Sequence, residues 1–263
     1  MYKIGFIGAG NMAFALAKAI KNAKLASSII ASDVNDERLD FVKKELNIEV
    51  TKNNAEVLNK SYIVFLAVKP QVMDAVLDEI KNKIKDQLII SIAAGIKLKK
   101  LELKLRNAKV IRVMPNTPCL VGEMAAGFSA GKNVTDKEIK IIEEVLNSAG
   151  KAFYLKEELL DAVTGLSGSG PAFVARLIEA FLEGGQKQGL NKDVAYELTL
   201  QTFKGTAALL QESGLTPDEL VKVVSSPGGT TVAGRELLEK SDYKKILHET
   251  IARATKRSKE LGK

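Results

Sequence analysis

A glycine-rich turn close to the N-terminus constrains the fold more than any other feature of this chain. The turn follows an apolar run at residues 3–7 and leads into an alanine-rich segment, and its residues are Gly8, Ala9, Gly10, Asn11, Met12 and Ala13. Gly8 permits the tight turn, Gly10 lets the backbone approach a pyrophosphate, and Ala13 keeps the helix close to the strand. The free N–H groups at the start of the helix attract the anion. The pattern therefore predicts a strand-turn-helix unit that binds a dinucleotide.

The second apolar run ends at Asp33, about 20 residues beyond the turn, where an acidic side chain can bond the adenine ribose 2′-hydroxyl. Its charge would repel a 2′-phosphate, which favours NADH over NADPH. Arg38 and Lys43 follow closely enough that a phosphate site stays open. Asp33 could instead act as a turn or cap residue before a helix that starts near Asp36. We therefore predict NADPH or NADH as the cofactor and leave the preference open.

Short apolar runs and amphipathic segments alternate over the first part of the chain, as in a parallel sheet with crossover helices. The predicted strands are residues 3–7, 29–32, 62–67, 88–92 and 110–114. The predicted helices are residues 11–23, 36–46, 72–83, 97–105 and 135–148, the last with Thr135 as N-cap. We therefore predict a doubly wound α/β domain over residues 1–160.

Strand-like runs stop after about residue 160, and the remainder has helical periodicity. The predicted helices are residues 171–188, 193–213, 217–224, 231–239 and 242–260. In the first of them Phe173, Leu177 and Phe181 fall on one stripe, so this face needs a partner helix from the same subunit or from a second one. We therefore predict an all-helical domain over residues 161–263.

Composition excludes several classes of protein. No apolar run is long enough to span a bilayer, and the N-terminus has no cleavable leader, so we expect a cytoplasmic protein without a membrane partner. One cysteine, Cys119, and one histidine, His248, make neither an internal disulfide nor a zinc site of the usual kind. The net charge of +7 comes mostly from lysines interleaved with glutamates, which indicates a solvated surface that attracts small anions rather than nucleic acid.

Four further sequence segments, together with the glycine-rich turn, point to a known family. They are residues 67–70 (AVKP), 112–118 (RVMPNTP), 165–171 (GLSGSGP) and 225–231 (SSPGGTT). In this order and spacing they resemble pyrroline-5-carboxylate reductase from end to end of the chain. The resemblance implies a Rossmann domain and a helical domain that forms a homodimer, often within a larger homo-oligomer. It also implies hydride transfer from NAD(P)H to the imine carbon of 1-pyrroline-5-carboxylate, giving L-proline in the last step of proline biosynthesis.

The resemblance also assigns cofactor-binding residues beyond the glycine-rich turn. They are Asp33, Asn54, Ala67, Val68, Lys69, Pro70, Met114 and Asn116. Residues 67–70 follow a parallel strand at its carboxyl end, where open α/β sheets bind ligands. Each assignment has a structural alternative: Lys69 as a surface lysine, Asn54 as a helix N-cap, and Asn116 as part of a loop stiffened by two prolines.

The 225–231 loop resembles the substrate loop of the family, with Ser226, Gly228, Gly229, Thr230 and Thr231 as substrate-binding residues. Its glycines and the following helix start expose backbone N–H groups that suit a carboxylate. Thr231 matches the family threonine whose hydroxyl faces the ring nitrogen, and we assign it as the catalytic residue. The alternative is a capped helix after a Pro-Gly-Gly turn.

Residues 165–170 also resemble a segment of the related β-hydroxyacid dehydrogenases, which continue with a catalytic lysine and then an asparagine. Val174 and Ile178 occupy those positions here, so a base for alcohol oxidation is missing. Reduction of an iminium needs no such base, because the product amine keeps its proton. Two alternatives remain open: another imine or ketone reductase on the same scaffold, and a non-catalytic NAD(P)-binding sensor. His248, among Lys and Glu in the last helix, is expected to be a surface or interface residue.

Overall fold

The computed structural model describes residues 1–262. One eight-stranded sheet organises the first part of the chain, in the order β3-β2-β1-β4-β5-β6-β7-β8. Its strands are β1 (Tyr2–Ile7), β2 (Ala26–Ser32), β3 (Glu49–Thr51), β4 (Ile63–Leu66), β5 (Leu88–Ser91), β6 (Lys109–Met114), β7 (Met124–Ala130) and β8 (Gly150–Tyr154). All neighbouring pairs are parallel except β6 and β7, which are antiparallel.

Helices follow most strands and make up the rest of the chain. They are α1 (Asn11–Asn22), α2 (Asp36–Leu46), α3 (Asn54–Lys60), α4 (Met73–Ile80), α5 (Leu98–Lys104), α6 (Asp136–Asn147), α7 (Leu160–Val163), α8 (Gly170–Lys187), α9 (Lys192–Ser213), α10 (Pro217–Val223), α11 (Thr230–Lys240) and α12 (Tyr243–Leu261). No helix within residues 1–262 is long and apolar enough to cross a membrane.

The central strands are buried on both faces because helices cover both sides of the sheet. Side chains of α1, α2 and α6 pack on one face, and those of α3, α4 and α5 pack on the other. Phe6 and Phe65 stack across β1 and β4 with ring centroids 4.9 Å apart. The chain proceeds outward from β1 to β2 and β3 and then returns to β4 on the other side of β1. This reversal opens a crevice at the carboxyl ends of β1 and β4, where doubly wound sheets bind ligands.

The predicted fold class, a Rossmann-type doubly wound sheet followed by a helical region, is confirmed. The five predicted strands and all ten predicted helices are present within a few residues of their predicted bounds. β3, β7, β8 and α7 were not predicted, and α3 was implied only by the N-cap alternative for Asn54. The chain divides into two compact units, residues 1–169 with 252–263 and residues 170–251. The functional boundary at residue 160 stays a prediction.

The second unit contains few buried side chains. α8 packs on α9, where Phe181 meets Phe203 edge to face with ring centroids 5.1 Å apart. Leu177 and Phe181, on the stripe predicted to need a partner helix, are nevertheless 39% and 58% exposed. The contact with α9 therefore covers only part of the apolar surface of α8.

Glu138 ties the start of α6 to the sheet. It forms a capping box with Thr135, which confirms the predicted N-cap. Its carboxylate also accepts a hydrogen bond from Tyr62 at 2.8 Å and pairs with Lys109 at 2.8 Å. Burial alone would raise the pKa of Glu138, but the hydrogen bonds from Lys109, Thr135 and Tyr62 outweigh it and lower the pKa to about 2.

This depressed pKa predicts a pH-dependent loss of stability. Because the folded-state pKa lies below the unfolded one, the contribution of Glu138 is present above about pH 4.5 and lost as the pH falls toward 2, on the order of 3 kcal/mol in all. Urea unfolding of the wild type and Glu138→Gln across this range measures it. Glu212→Gln, at an exposed site in α9, is the control. An equal pH slope in all three proteins would contradict the assignment.

Candidate active site

Gly8 brings three strand ends together. Its N–H donates to the Ser32 carbonyl at 2.8 Å, and its φ of +97° lies in the left-handed region that favours glycine. A Cβ at this position would lie 2.7 Å from the carbonyl oxygen of Ala67. The tight turn predicted for Gly8 is therefore also a close backbone approach between the loops that follow β1 and β4.

Gly10 leaves open space at the start of α1. It is the N-cap, its backbone is extended, and a Cβ built on it meets no atom within 4 Å. The first N–H groups of the helix, those of Asn11, Met12 and Ala13, have no partners within the helix. The first turn of α1 carries no acidic residue. An open cradle lined by free N–H groups fits the diphosphate of a dinucleotide.

Asp33 lies at the end of β2 and is held by two backbone groups. Its Oδ2 accepts from the N–H of Ala9 at 2.7 Å, and its Oδ1 accepts from the N–H of Asn35 at 3.0 Å. The N-cap of α2 is Asn35, so the cap half of the alternative for Asp33 is wrong, whereas its bond to the N–H two residues further on is the turn contact that the alternative expected. Asp33 instead joins the glycine-rich turn to the loop after β2.

Asn54 connects two walls of the cleft beside the turn. Its Oδ1 accepts from the Ser32 hydroxyl at 2.7 Å, and its Nδ2 donates to Glu79 at 2.7 Å. The N-cap of α3 is Asn53, so the cap alternative for Asn54 is wrong as well. Ser32 and Glu79 were not predicted as site residues. Their only signal in the sequence is the position of Ser32 at the end of a predicted strand.

The cleft formed by these residues has a volume of about 240 Å³. Its polar lining includes Asp33, Lys52, Asn54 and Glu79, and its apolar lining includes Val68 and Val76. Apolar walls with a few fixed polar groups suit the adenosine part of a dinucleotide.

The 67–70 segment runs from the end of β4 into a 3₁₀ turn. The Ala67 N–H donates to the Ile7 carbonyl at 2.8 Å, and Pro70 is the first residue of the turn. The Lys69 side chain is exposed and has no hydrogen-bond or ion-pair partner within residues 1–262, so both its predicted role and the surface alternative stay open.

Met114 and Asn116 contact a π-helical turn at Thr164–Gly168. The Asn116 Nδ2 donates to the Ser167 carbonyl at 3.0 Å, and its Oδ1 accepts from the Ala125 N–H at 2.9 Å. A Cβ on Gly168 would lie 2.6 Å from the Cε of Met114. Asn116 is 7% exposed, so its amide positions this turn, and its predicted contact with the cofactor stays a prediction.

The 225–231 loop lies in the second unit, between α10 and α11. Gly228 has a φ of +70°, and the Gly229 N–H donates to the Ser226 carbonyl at 3.0 Å. Gly229 is the N-cap of α11 and makes no side-chain hydrogen bond there, so α11 follows the Pro-Gly-Gly turn as the structural alternative expected, and the substrate-binding role of the loop stays a prediction. Thr230 and Thr231 open the helix, are exposed, and make no side-chain hydrogen bond within the described residues. Their hydroxyls and the free N–H groups of the first turn are available to an anionic ligand.

The single histidine and the single cysteine have no features of catalytic residues. His248 is exposed in α12, in agreement with the predicted surface position. Burial raises the pKa of the Cys119 thiol to about 11, so it stays protonated at neutral pH. No cluster of three His, Cys, Asp or Glu side chains suited to a metal ion occurs in the part of the chain that the structure describes.

Two family models match the chain. The one described as pyrroline-5-carboxylate reductase dimerisation matches residues 157–261. The one described as NADP oxidoreductase, coenzyme F420-dependent, matches residues 3–95. The chain is 43% identical over 265 residues to the pyrroline-5-carboxylate reductase of Methanosarcina acetivorans, covering 99% of this chain and 98% of the relative. It is 40% identical over 263 residues to that of Pisum sativum, covering 99% of this chain and 96% of the relative.

Solved structures of pyrroline-5-carboxylate reductases are also similar to this chain over its whole length. A pyrroline-5-carboxylate reductase from Coxiella burnetii has a TM-score of 0.95 and 31% identity, with 100% of this chain and 99% of the other covered. A pyrroline carboxylate reductase from Plasmodium falciparum, with NADP bound, has a TM-score of 0.87 and 34% identity, with 100% and 98% covered.

Proposed function

This chain belongs to the pyrroline-5-carboxylate reductase family, and we propose that its site residues carry out the reaction as assigned below. The reaction is the NAD(P)H-dependent reduction of 1-pyrroline-5-carboxylate to L-proline, the last step of proline biosynthesis. The observation that carries the assignment is the 225–231 loop, whose threonine hydroxyls and free N–H groups are unengaged at the start of α11.

Residues of the first unit hold the cofactor. The open face of Gly10 and the N–H groups of Asn11 to Ala13 bind the diphosphate. Asp33 and Asn54 bind the adenosine side, and the 67–70 segment and Met114 line the nicotinamide side. The bound reduced nicotinamide supplies a hydride for the imine carbon.

Residues of the second unit hold the substrate. The backbone N–H groups of Gly228, Thr230 and Thr231 bind the carboxylate, helped by the positive end of the α11 dipole, while the Gly229 N–H holds the turn through the Ser226 carbonyl. The Thr231 hydroxyl accepts a hydrogen bond from the iminium N–H and so fixes which face of the ring is presented. The nitrogen keeps its proton throughout, since the product amine is basic, and the C=N double bond becomes a single bond.

The chain needs no general acid for this reaction. Val174 and Ile178 stand where alcohol-oxidising relatives place a lysine and an asparagine, and the lone histidine is exposed. An iminium is already electrophilic, so positioning supplies most of the catalysis. This chemistry favours a C=N substrate over an alcohol.

The helical region forms the contact between subunits of a homo-oligomer. Residues 157–261 match the dimerisation model, and the exposed apolar side chains of α8 support the same conclusion. A second copy of α8 would cover the part of the stripe that α9 leaves open. We further propose that the protein works in the cytoplasm, where a lone buried thiol such as Cys119 is stable.

The test is an initial-rate assay with purified protein and 1-pyrroline-5-carboxylate. We expect loss of the reduced-nicotinamide absorbance with stoichiometric formation of proline. Folded protein that binds dinucleotide but oxidises none would contradict the proposal. A panel of other cyclic imines and ketones would then separate a different reductase from a non-catalytic sensor.

A further inference from the structure

We propose that this enzyme uses NADH in preference to NADPH and that Asp33 makes the choice. The proposal rests on the dinucleotide site proposed above. It concerns the adenine ribose, which differs between the two cofactors only by the 2′-phosphate.

The orientation of Asp33 is fixed before any ligand binds. Each carboxylate oxygen accepts one backbone N–H, from Ala9 at 2.7 Å and from Asn35 at 3.0 Å. A carboxylate has about four lone-pair sites, so two remain to accept hydrogen bonds from ribose hydroxyls. The side chain is half-buried and lines the cleft together with Gly8 and Asn54. Asp33 therefore offers fixed acceptors where a 2′-hydroxyl can donate and a 2′-phosphate cannot.

Arg38, the strongest candidate for a phosphate ligand, is engaged elsewhere. Its Nε donates to the Ala9 carbonyl. Its guanidinium packs against Phe14 and Phe41, 5.7 Å and 4.8 Å from the ring centroids. Its Nη2 is buried with no partner among residues 1–262, out of reach of a ligand. The Arg38 guanidinium therefore binds the glycine-rich turn and does not present two donors to a phosphate.

The nearby lysines do not replace it. Lys52 pairs with Asp36 at 2.7 Å, and both side chains are largely exposed. Lys43 lies in the last turn of α2, roughly 10 Å along the helix from Asp36. No ion pair to Asp33 forms in the described part of the chain, and Glu79 adds a second carboxylate to the cleft lining. Lys52 also lines the cleft, but its ammonium is paired with Asp36. A 2′-phosphate, with a charge of about −1.5 to −2, would therefore meet the carboxylates of Asp33 and Glu79, and the one cation among the lining residues is already paired.

The NADP-bound structure from Plasmodium falciparum shows that this fold also accommodates the phosphorylated cofactor in a relative. The preference is therefore set by the residues around Asp33 in this chain and not by the fold.

The experiment measures binding without turnover. NADH and NADPH are titrated by nicotinamide fluorescence, and 5′-AMP and 2′,5′-ADP compete against bound NADH. In wild type we expect NADH to bind at least about tenfold more tightly than NADPH, and 5′-AMP to compete better than 2′,5′-ADP. Equal or tighter binding of NADPH would overturn the proposal.

Two matched variants locate the effect. Asp33→Asn removes the charge at nearly constant size, and we expect it to reduce the NADH preference about tenfold or more. Asp40→Asn removes an exposed charge within α2, seven residues further along the chain, and is expected to leave the preference unchanged. An equal ratio of the NADPH and NADH dissociation constants in both variants would overturn the role of Asp33. The binding titrations contain no imine, so their outcome does not depend on whether the reductase assay succeeds. The comparison of NADH with NADPH in the wild type also remains valid if Asp33→Asn does not fold.

Discussion

Replacing Thr231 with valine is expected to lower kcat for 1-pyrroline-5-carboxylate by about 10- to 100-fold. A hydrogen bond between the iminium N–H and the threonine hydroxyl is charge-assisted and contributes about 1.5–3 kcal/mol. Valine has nearly the same shape and no hydroxyl. The Thr231 hydroxyl makes no internal hydrogen bond within residues 1–262, so its removal leaves no buried partner unsatisfied.

Thr231→Ser is the matched variant, because it keeps the hydroxyl and loses only a methyl group. We expect serine to retain most of the activity and both variants to bind NADH as the wild type does. The measurements are steady-state kinetics and fluorescence titration of the dinucleotide. Wild-type kcat in Thr231→Val would show that the hydroxyl has no role in the chemistry, and equal losses in both variants would indicate a packing effect instead.

The sequence predicted the sheet and the helical region better than the contacts within the site. The turn at residues 8–13 and the strand ends near Asp33 and Ala67 are local patterns, and the carboxyl ends of parallel strands meet at one edge. β7 was missed because Met124-Ala125-Ala126-Gly127 has few β-branched residues, and its antiparallel pairing with β6 is a tertiary feature.

Side-chain partners far apart in sequence could not be predicted from periodicity. The bond between Asp33 and Ala9, the bridge from Asn54 to Glu79, and the two bonds of the Asn116 amide each depend on the folded geometry. The same applies to Arg38, which the sequence left open, together with Lys43, as a ligand for a 2′-phosphate. Its contact with the Ala9 carbonyl changes that interpretation.

Gly10→Ala is expected to weaken dinucleotide binding by about 100-fold or more without unfolding the protein. The Gly10 backbone has a φ of −64° and a ψ of −179°, which alanine adopts readily, and its Cβ would meet no protein atom within 4 Å. The new methyl group would instead occupy the space next to the first N–H groups of α1, where the diphosphate is proposed to bind. Displacing it loses several charge-assisted hydrogen bonds, each about 1.5–3 kcal/mol.

Gly8→Ala, two residues earlier in the same turn, is expected to destabilise the folded protein. Its φ of +97° and the 2.7 Å approach to the Ala67 carbonyl strain the folded backbone, so we expect a loss of about 2 kcal/mol or more in the free energy of unfolding. Urea unfolding and NADH titration of both variants separate the two effects. If Gly10→Ala bound NADH like wild type, or if it lost as much stability as Gly8→Ala, the open face of Gly10 would not be the diphosphate site. A binding defect in a fully stable Gly10→Ala protein would locate the cofactor at this turn through a change that alters no contact within the protein.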